Sequence, residues 1–359
     1  MVELVLRATT SDLENGSDAA FAEPDLGELE QTARHIASVQ TSNGAIPWEP
    51  GGRLDPWNHV EATMGLTVMG FSAQARGALE FLAAVQRPDG AWYAQYDANA
   101  IPTVRYVDTN FVAYVATGTW HYAVATHDTN FLIRMWPVVK SAIDFVVDRQ
   151  EPSGHIPWAV SEDGRAYADA LVTGSASTFL SLRCAIEIAI FLNEDPTRWV
   201  RSRQALGRAL SSGRGFDRTW PSKRRFAMDW FYPVLCGVLP AQAEAIHLDA
   251  RWDEFADLKY GCRCVCDRDW RTAAETAELV MACHRARDKA RARALFATLA
   301  QFRAPDGSYW TGLAHPEREL WPEERTTWTA GAVLLAADSV YGLTPSAQIF
   351  DRARCLSAS

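Results

Sequence analysis

Two hydrophobic patterns alternate along the chain. Segments 28–40, 73–86, 131–148, 198–212 and 289–302 place apolar residues on one helical stripe and charges opposite it, as in ELEQTARHIASVQ and KARARALFATLAQF. That spacing predicts half-exposed amphipathic helices. A weaker member covers 241–258. Between them run segments starting at Asp55, Tyr106, Ala170, Arg225, Asp269 and Glu324 that are small or apolar on nearly every face, as in ERTTWTAGAVLLAADSV. Helices of this kind are packed on all sides. Roughly six buried helices alternating with roughly six half-exposed ones, at a hairpin spacing of about 50–60 residues, predict an all-α, single-domain (α/α)6 toroid, a six-hairpin barrel, over 25–345. Residues 1–24 are expected to form an N-terminal arm and 346–359 a C-terminal tail.

A shorter motif punctuates the outer helices: a terminal Gln, a turn with Gly, then an aromatic. It occurs at Gln40–Gly44–Trp48, Gln86–Gly90–Trp92, Gln150–Gly154–Trp158 and Gln301–Gly307–Trp310. Glycine after a helix supplies a left-handed cap.

Composition narrows the partners. A net charge of −9 gives no basic surface for nucleic acid or for an anionic membrane. Fourteen Trp is high, and indole suits flat amphipathic ligands such as sugars. The start MVELVLRATTSDLENGSD holds no long apolar run, so neither a signal peptide nor an anchor is read there, and the seven Cys are read as reduced thiols in a cytoplasmic protein. The Cys262–Arg263–Cys264–Val265–Cys266 run lacks zinc-clip spacing. No phosphate loop, dinucleotide motif or nucleophile elbow occurs; no metal and no cofactor are expected.

In a ring of hairpins the inner helices run parallel, so their N-termini gather on one face around a funnel. The lead-ins to those helices carry carboxylates beside aromatics. Glu324, Asp229, Asp108 and Glu162 are the candidate catalytic acids and bases. Asp229, ahead of Trp230–Phe231–Tyr232, reads as a buried carboxyl with a raised pKa. Trp57, His59, Trp92, Tyr106, Trp158, Trp230, Tyr232, Arg263, Trp270, Glu275, Trp310 and Glu323 are the candidate substrate contacts. The competing structural role for each acid is helix capping, with pairing to Arg225, Arg263 or Arg325.

Arg76–Gly77, Phe81–Leu82, Gln86 and Gly90–Ala91–Trp92 reproduce the QW repeat, so the chain resembles the squalene cyclase and protein prenyltransferase toroids, including actinobacterial proteins of that kind. It departs from them in lacking the Asp-x-Asp-Asp motif and the zinc trio. The stretch Pro322–Glu323–Glu324–Arg325–Thr326–Thr327–Trp328 is similar to the general-base segment of glucoamylase-like six-hairpin glycosidases. That resemblance implies Glu324 as base, while Ala159 stands where their acid would lie. Taken together, a glycoside hydrolase acting on an oligosaccharide through two carboxylates is the leading reading; an inverting pair would stand about 6.5–9.5 Å apart. An isoprenoid-handling toroid and a non-catalytic glycan- or protein-binding toroid are the alternatives.

Overall fold

The computed structural model describes residues 24–351; of the expected N-terminal arm only Pro24 lies within them. Among the described residues, twelve helices form the double ring. The outer ones are α1 (Leu26–Val39), α3 (Ser72–Val85), α5 (Thr129–Val147), α7 (Thr197–Ser212), α9 (Ala241–Asp249) and α12 (Lys289–Thr298). The inner ones are α2 (Pro56–Val68), α4 (Thr109–Thr126), α6 (Val172–Phe191), α8 (Ala227–Leu235), α11 (Ala273–Arg285) and α13 (Thr327–Tyr341). A single-turn α10 (Trp252–Phe255) follows α9. Each inner helix packs on the next, α2 on α4, α4 on α6, α6 on α8, α8 on α11 and α11 on α13, and α13 returns to α2. The ring is therefore closed, and the toroid expected from the alternating patterns is the observed fold.

Small residues let the inner helices approach. A Cβ on Gly65 would stand 2.8 Å from Gly331 Cα, and one on Gly331 would stand 2.7 Å from the Glu61 carbonyl. Glycine at both positions brings the backbones of α2 and α13 into contact where the last hairpin meets the first. Although α6 is long and apolar enough to cross a membrane, two-thirds of its apolar window is buried in the ring.

The Gln–Gly–Trp motif is a clamp between hairpins. Gln40, Gln86 and Gln150 each donate through Nε2 to the carbonyl of Gly44, Gly90 or Gly154 and to a carbonyl on the next outer helix, at Gln74, Val138 or Ser202. Gln301 departs from this pattern: its Nε2 donates to Thr298 O, three residues back, and to Tyr260 O in a loop. A side-chain amide here satisfies carbonyls left over at a helix end, so the repeat encodes hairpin spacing rather than chemistry.

The lead-in loops are stitched into a collar on one face. The first amide of α4 donates to Trp158 O, that of α8 to Cys264 O, that of α11 to Thr311 O, and that of α13 to Trp48 O. Thr109 and Thr327 repeat one another further, with Oγ1 donating to Pro157 O and Pro47 O. Short antiparallel strands complete the collar: Val107–Asp108 pairs with Ala159–Val160, and Gly312–Ala314 lies between Trp270–Thr272 and Glu319–Leu320. All six inner N-termini thus open on the same side. Of the expected C-terminal tail, residues 346–351 lie within the described residues. Residues 345–349 form a short 3-10 turn, Ile349 and Phe350 are buried, and Ser346 Oγ meets His121 Nε2 at 2.9 Å.

Candidate active site

The funnel floor is aromatic and acidic. Trp57, on the first turn of α2, sits edge-on to Phe111, Tyr114 and Tyr232, with ring centroids 5.7, 5.7 and 6.1 Å away. Below it Tyr114 donates a 2.6 Å hydrogen bond to Glu61, and Tyr232 donates to Glu278. Both carboxyls are buried on the inner helices α2 and α11. Burial raises their pKa, to about 7 for Glu61 and well above the ordinary value for Glu278, which also feels Glu61. In the unfolded chain a Glu titrates near ~4.3, so the folded state holds these protons more tightly. Their contribution to stability is fully present below that value and is lost as pH rises from there through neutrality. Glu61→Gln is therefore expected to flatten the fall of Tm between about pH 4.5 and 7. An unchanged slope in thermal melts would show that Glu61 ionises freely in the fold.

Above this floor lies a cavity of about 100 Å³, lined by Trp57, Asp108, Thr109, Asn110, Ile156, Trp158, Leu171 and Thr173, among others. Asp108 caps α4: its Oδ1 accepts from Asn110 N (2.9 Å) and Phe111 N (3.3 Å). Its second oxygen takes no hydrogen bond from the described residues. Burial, with the charge of Asp55 adding to it, pushes Asp108 up to about 7 against the pull of those two amides. Next to it Asn110 is buried with neither amide atom bonded, and the Trp158 indole N–H is also unpartnered. Each such buried group costs about 1–3 kcal/mol unless something meets it. Trp158 belongs to an aromatic cluster with Tyr106, Tyr167 and Trp220, at centroid distances of 5.3, 5.3 and 5.0 Å. Asp229 stands beyond the cavity wall. It accepts from Thr173 Oγ1 at 3.0 Å, and burial pushes it up to about 6.

In the ring order α2, α4, α6, α8, α11, α13, the helix across from α4 is α11. Glu275 lies on its first turn and is half-buried. It accepts from the Cys264 thiol, whose own pKa is raised by burial and by that carboxylate. Glu324 lies beside it, before α13, with Thr311 Oγ1 3.3 Å from its carboxylate. Neither Glu, nor Asp108 or Asp229, is ion-paired among the described residues. The three arginines weighed as capping partners take other acids: Arg225 with Asp267, Arg263 with Asp269, and Arg325 with Asp306.

Several expected site residues lie elsewhere. His59 faces outward from α2: Ile46 N donates to its Nδ1, its Nε2 meets Ala78 O, and burial lowers its pKa to about 4. Trp92 is buried behind the collar, with Nε1 donating to Leu82 O. Trp230 turns toward α9, donates to His247 O and stacks on Phe255 at 5.3 Å. Glu162 is exposed on a turn and pairs with Arg105 at 3.0 Å. Arg263 is held at the rim by Asp269. Glu323 is exposed, Trp270 packs edge-on against Trp321, and Trp310 lies under the Arg325 guanidinium. Tyr232 is in the hub, but as the partner of Glu278. Asn110, Trp220, Thr173, Glu61 and Glu278 were not singled out from sequence. The acids at Glu61 and Glu278, inside otherwise apolar helices, were the legible signal.

No protein-family model matches the chain. It is 45% identical over 323 residues to the MMP endo-(1,4)-3-O-methyl-α-D-mannosidase of Mycolicibacterium hassiacum, a match spanning 90% of this chain and 89% of that enzyme. The chain belongs to the family of that glycoside hydrolase. Solved structures share the fold of this hydrolase at low identity. A glycosidase variant in complex with glucose is 16% identical at a TM-score of 0.67, covering 90% of this chain and 100% of that one. The GH63 mannosylglycerate hydrolase of Thermus thermophilus, in complex with glucose, is 14% identical at 0.65, covering 85% and 98%. A D-mannose isomerase is 9% identical at 0.67, covering 90% and 99%. The glycosidase side of the sequence resemblance is supported. The cyclase and prenyltransferase side is not: its QW repeat is the interhelical clamp described above.

Proposed function

We propose that this hydrolase cleaves internal α-(1,4) bonds in chains of 3-O-methyl-D-mannose, the chemistry named for its mycobacterial relative, with Asp108 as general acid and Glu275 as general base. The observation that carries the assignment is Asp108: capped on one oxygen, free on the other, and still protonated near neutral pH beside a recess walled by Trp57 and Trp158. A general acid must hold its proton until the leaving oxygen needs it. Glu275, on the first turn of α11 across the ring, is the residue we assign to activate water on the opposite face of the sugar. It takes precedence over Glu324 because α11 stands opposite α4 in the ring, whereas Glu324 lies on the lead-in to the neighbouring α13. Asp229 supports the acid side through Thr173. The aromatic walls suit methylated sugars, whose faces are more apolar than those of free hexoses.

The test is digestion of an α-(1,4)-linked 3-O-methyl-D-mannose oligosaccharide and of its unmethylated counterpart. Mid-length fragments should appear before monosaccharide, and from the methylated chain first. Release of single sugars from one end, or no cleavage, would refute the endo assignment. Asn110→Ala is expected to raise KM about 10-fold, because the sugar loses a hydrogen-bonding partner, while Tm stays level or rises on removal of an unpartnered amide. A fall in Tm with KM unchanged would make Asn110 structural.

A further inference from the structure

At the opposite end of the ring from the funnel, a cavity of about 520 Å³ opens between the C-terminal half of α6, the middle of α7, the start of α9 and the last turn of α11. Three guanidiniums face it: Arg183 from α6, Arg203 from α7 and Arg285 from α11. Each is anchored by a main-chain carbonyl. Arg183 donates to Ile349 O, Arg203 Nε to Phe179 O at 3.1 Å, and Arg285 Nη1 to Asp351 O at 2.8 Å. Arg203 is also held flat on the Phe179 ring, 3.8 Å from its centroid. Fixed this way, the groups have little freedom to turn away from one another. The terminal amino groups of Arg203 find no acceptor among the described residues.

The charges do not balance. Glu244 and Glu187 also line the cavity, so three positive groups meet two negative ones, an excess of one. Glu244 is fully buried and already committed to Arg285, whose Nε donates to it at 2.9 Å. Like charges gathered in a partly desolvated recess repel, and the cost grows as water is excluded. Arg203 registers that strain: burial first, then Arg183 and Arg285, hold it down to about 10. Arg285 is lowered by burial and by Arg183, against the pull of Glu244. Nothing in the glycosidase reading requires this array, which lies at the far ends of the inner helices from Asp108 and Glu275.

We propose that this recess is a binding site for an oxyanion, a carboxylate or phosphate group carried on a small organic molecule, bridging Arg183 and Arg203. Planar guanidiniums recognise both groups through paired N–H donors. The recess exceeds the needs of a lone inorganic ion and falls within the range of small-molecule pockets. Glu187, on the same wall of α6 as Arg183, competes with the anion for the arginines. The site is separate from the sugar funnel, so occupancy is expected to register in stability rather than in the chemical step.

The experiment is a thermal-melt and calorimetric titration of the full chain with inorganic phosphate and with citrate, against chloride at matched ionic strength. A saturable rise in Tm with phosphate or citrate, absent with chloride, is the expected result. Citrate acting far more strongly than phosphate would identify a carboxylate ligand, and the reverse a phosphate. Arg203→Met should weaken the apparent Kd by about 10-fold or more while leaving glycosidase turnover unchanged. Glu187→Gln should tighten it, an opposite shift that general loosening of the fold would not produce. No response beyond that to chloride overturns the site. So does a response equal in wild type and Arg203→Met, or one weakened alike by Arg203→Met and Glu187→Gln.

Discussion

Asp108→Asn is expected to lower kcat/KM by about 10³-fold, with Tm almost unchanged. Asn caps a helix about as well as Asp, so the bonds from Asn110 N and Phe111 N that start α4 survive the change. What is lost is the proton on the free oxygen. Glu275→Gln is expected to cost at least about 10²-fold for the complementary reason: the amide cannot take a proton from water. Glu324→Gln, on the neighbouring lead-in, should cost much less. In the wild type, kcat/KM should fall as pH rises through about 7, where Asp108 gives up its proton, and Asp108→Asn should remove that limb. Initial rates on a methylated mannoside across pH 5–9, beside melting curves for each variant, decide the assignment. Full activity in Asp108→Asn would end it. Loss in Glu324→Gln with Glu275→Gln intact would move the base to the residue that the glucoamylase-like motif pointed to.

Gly331→Val is expected to destabilise the whole domain, because it forces apart the helices that close the ring. Even one Cβ at Gly331 would stand 2.7 Å from the Glu61 carbonyl and 2.9 Å from Ala62 Cα, and both are backbone atoms that cannot rotate away. Overpacking of this kind costs about 1–3 kcal/mol for an added methyl-sized group, and more for a branched one. Glu61 sits on the strand of backbone that would be pushed, so the floor beneath Trp57 shifts as well. Gly77→Ala is the control. Its new Cβ would meet only Gln40 Nε2, at 4.0 Å, and alanine in a helix gains about 0.5–1 kcal/mol over glycine. Chemical denaturation should move the two variants in opposite directions. Gly331→Val melting like wild type would mean that α2 and α13 do not depend on this contact.

The sequence alone determined the architecture. Alternation of all-round apolar helices with one-sided ones leaves each hairpin unable to bury its faces unaided, and closure of the six hairpins is the arrangement that buries all of them. The lead-in position of Asp108 and Asp229 was equally legible, because a short acid at a helix start is marked by its place in the hydrophobic pattern. The direction of individual side chains was not. His59 and Trp230 stand at positions that look like lead-in chemistry, yet rotation about the helix axis sends them toward the outer helices α3 and α9, whose carbonyls they meet, and Trp92 folds back from its loop onto α3. The same rotation brings Glu61 and Glu278, separated by more than 200 residues, to one buried hub where burial raises both and the charge of Glu61 raises Glu278 further. Only closure of the ring puts Glu275 across from Asp108, makes Asn110 a buried amide without a partner, and gathers Arg183, Arg203 and Arg285 around one recess. Local pattern fixes where helices begin and which faces are apolar. Distance, desolvation and charge repulsion arise only between segments remote in sequence, so they exist only in the folded chain.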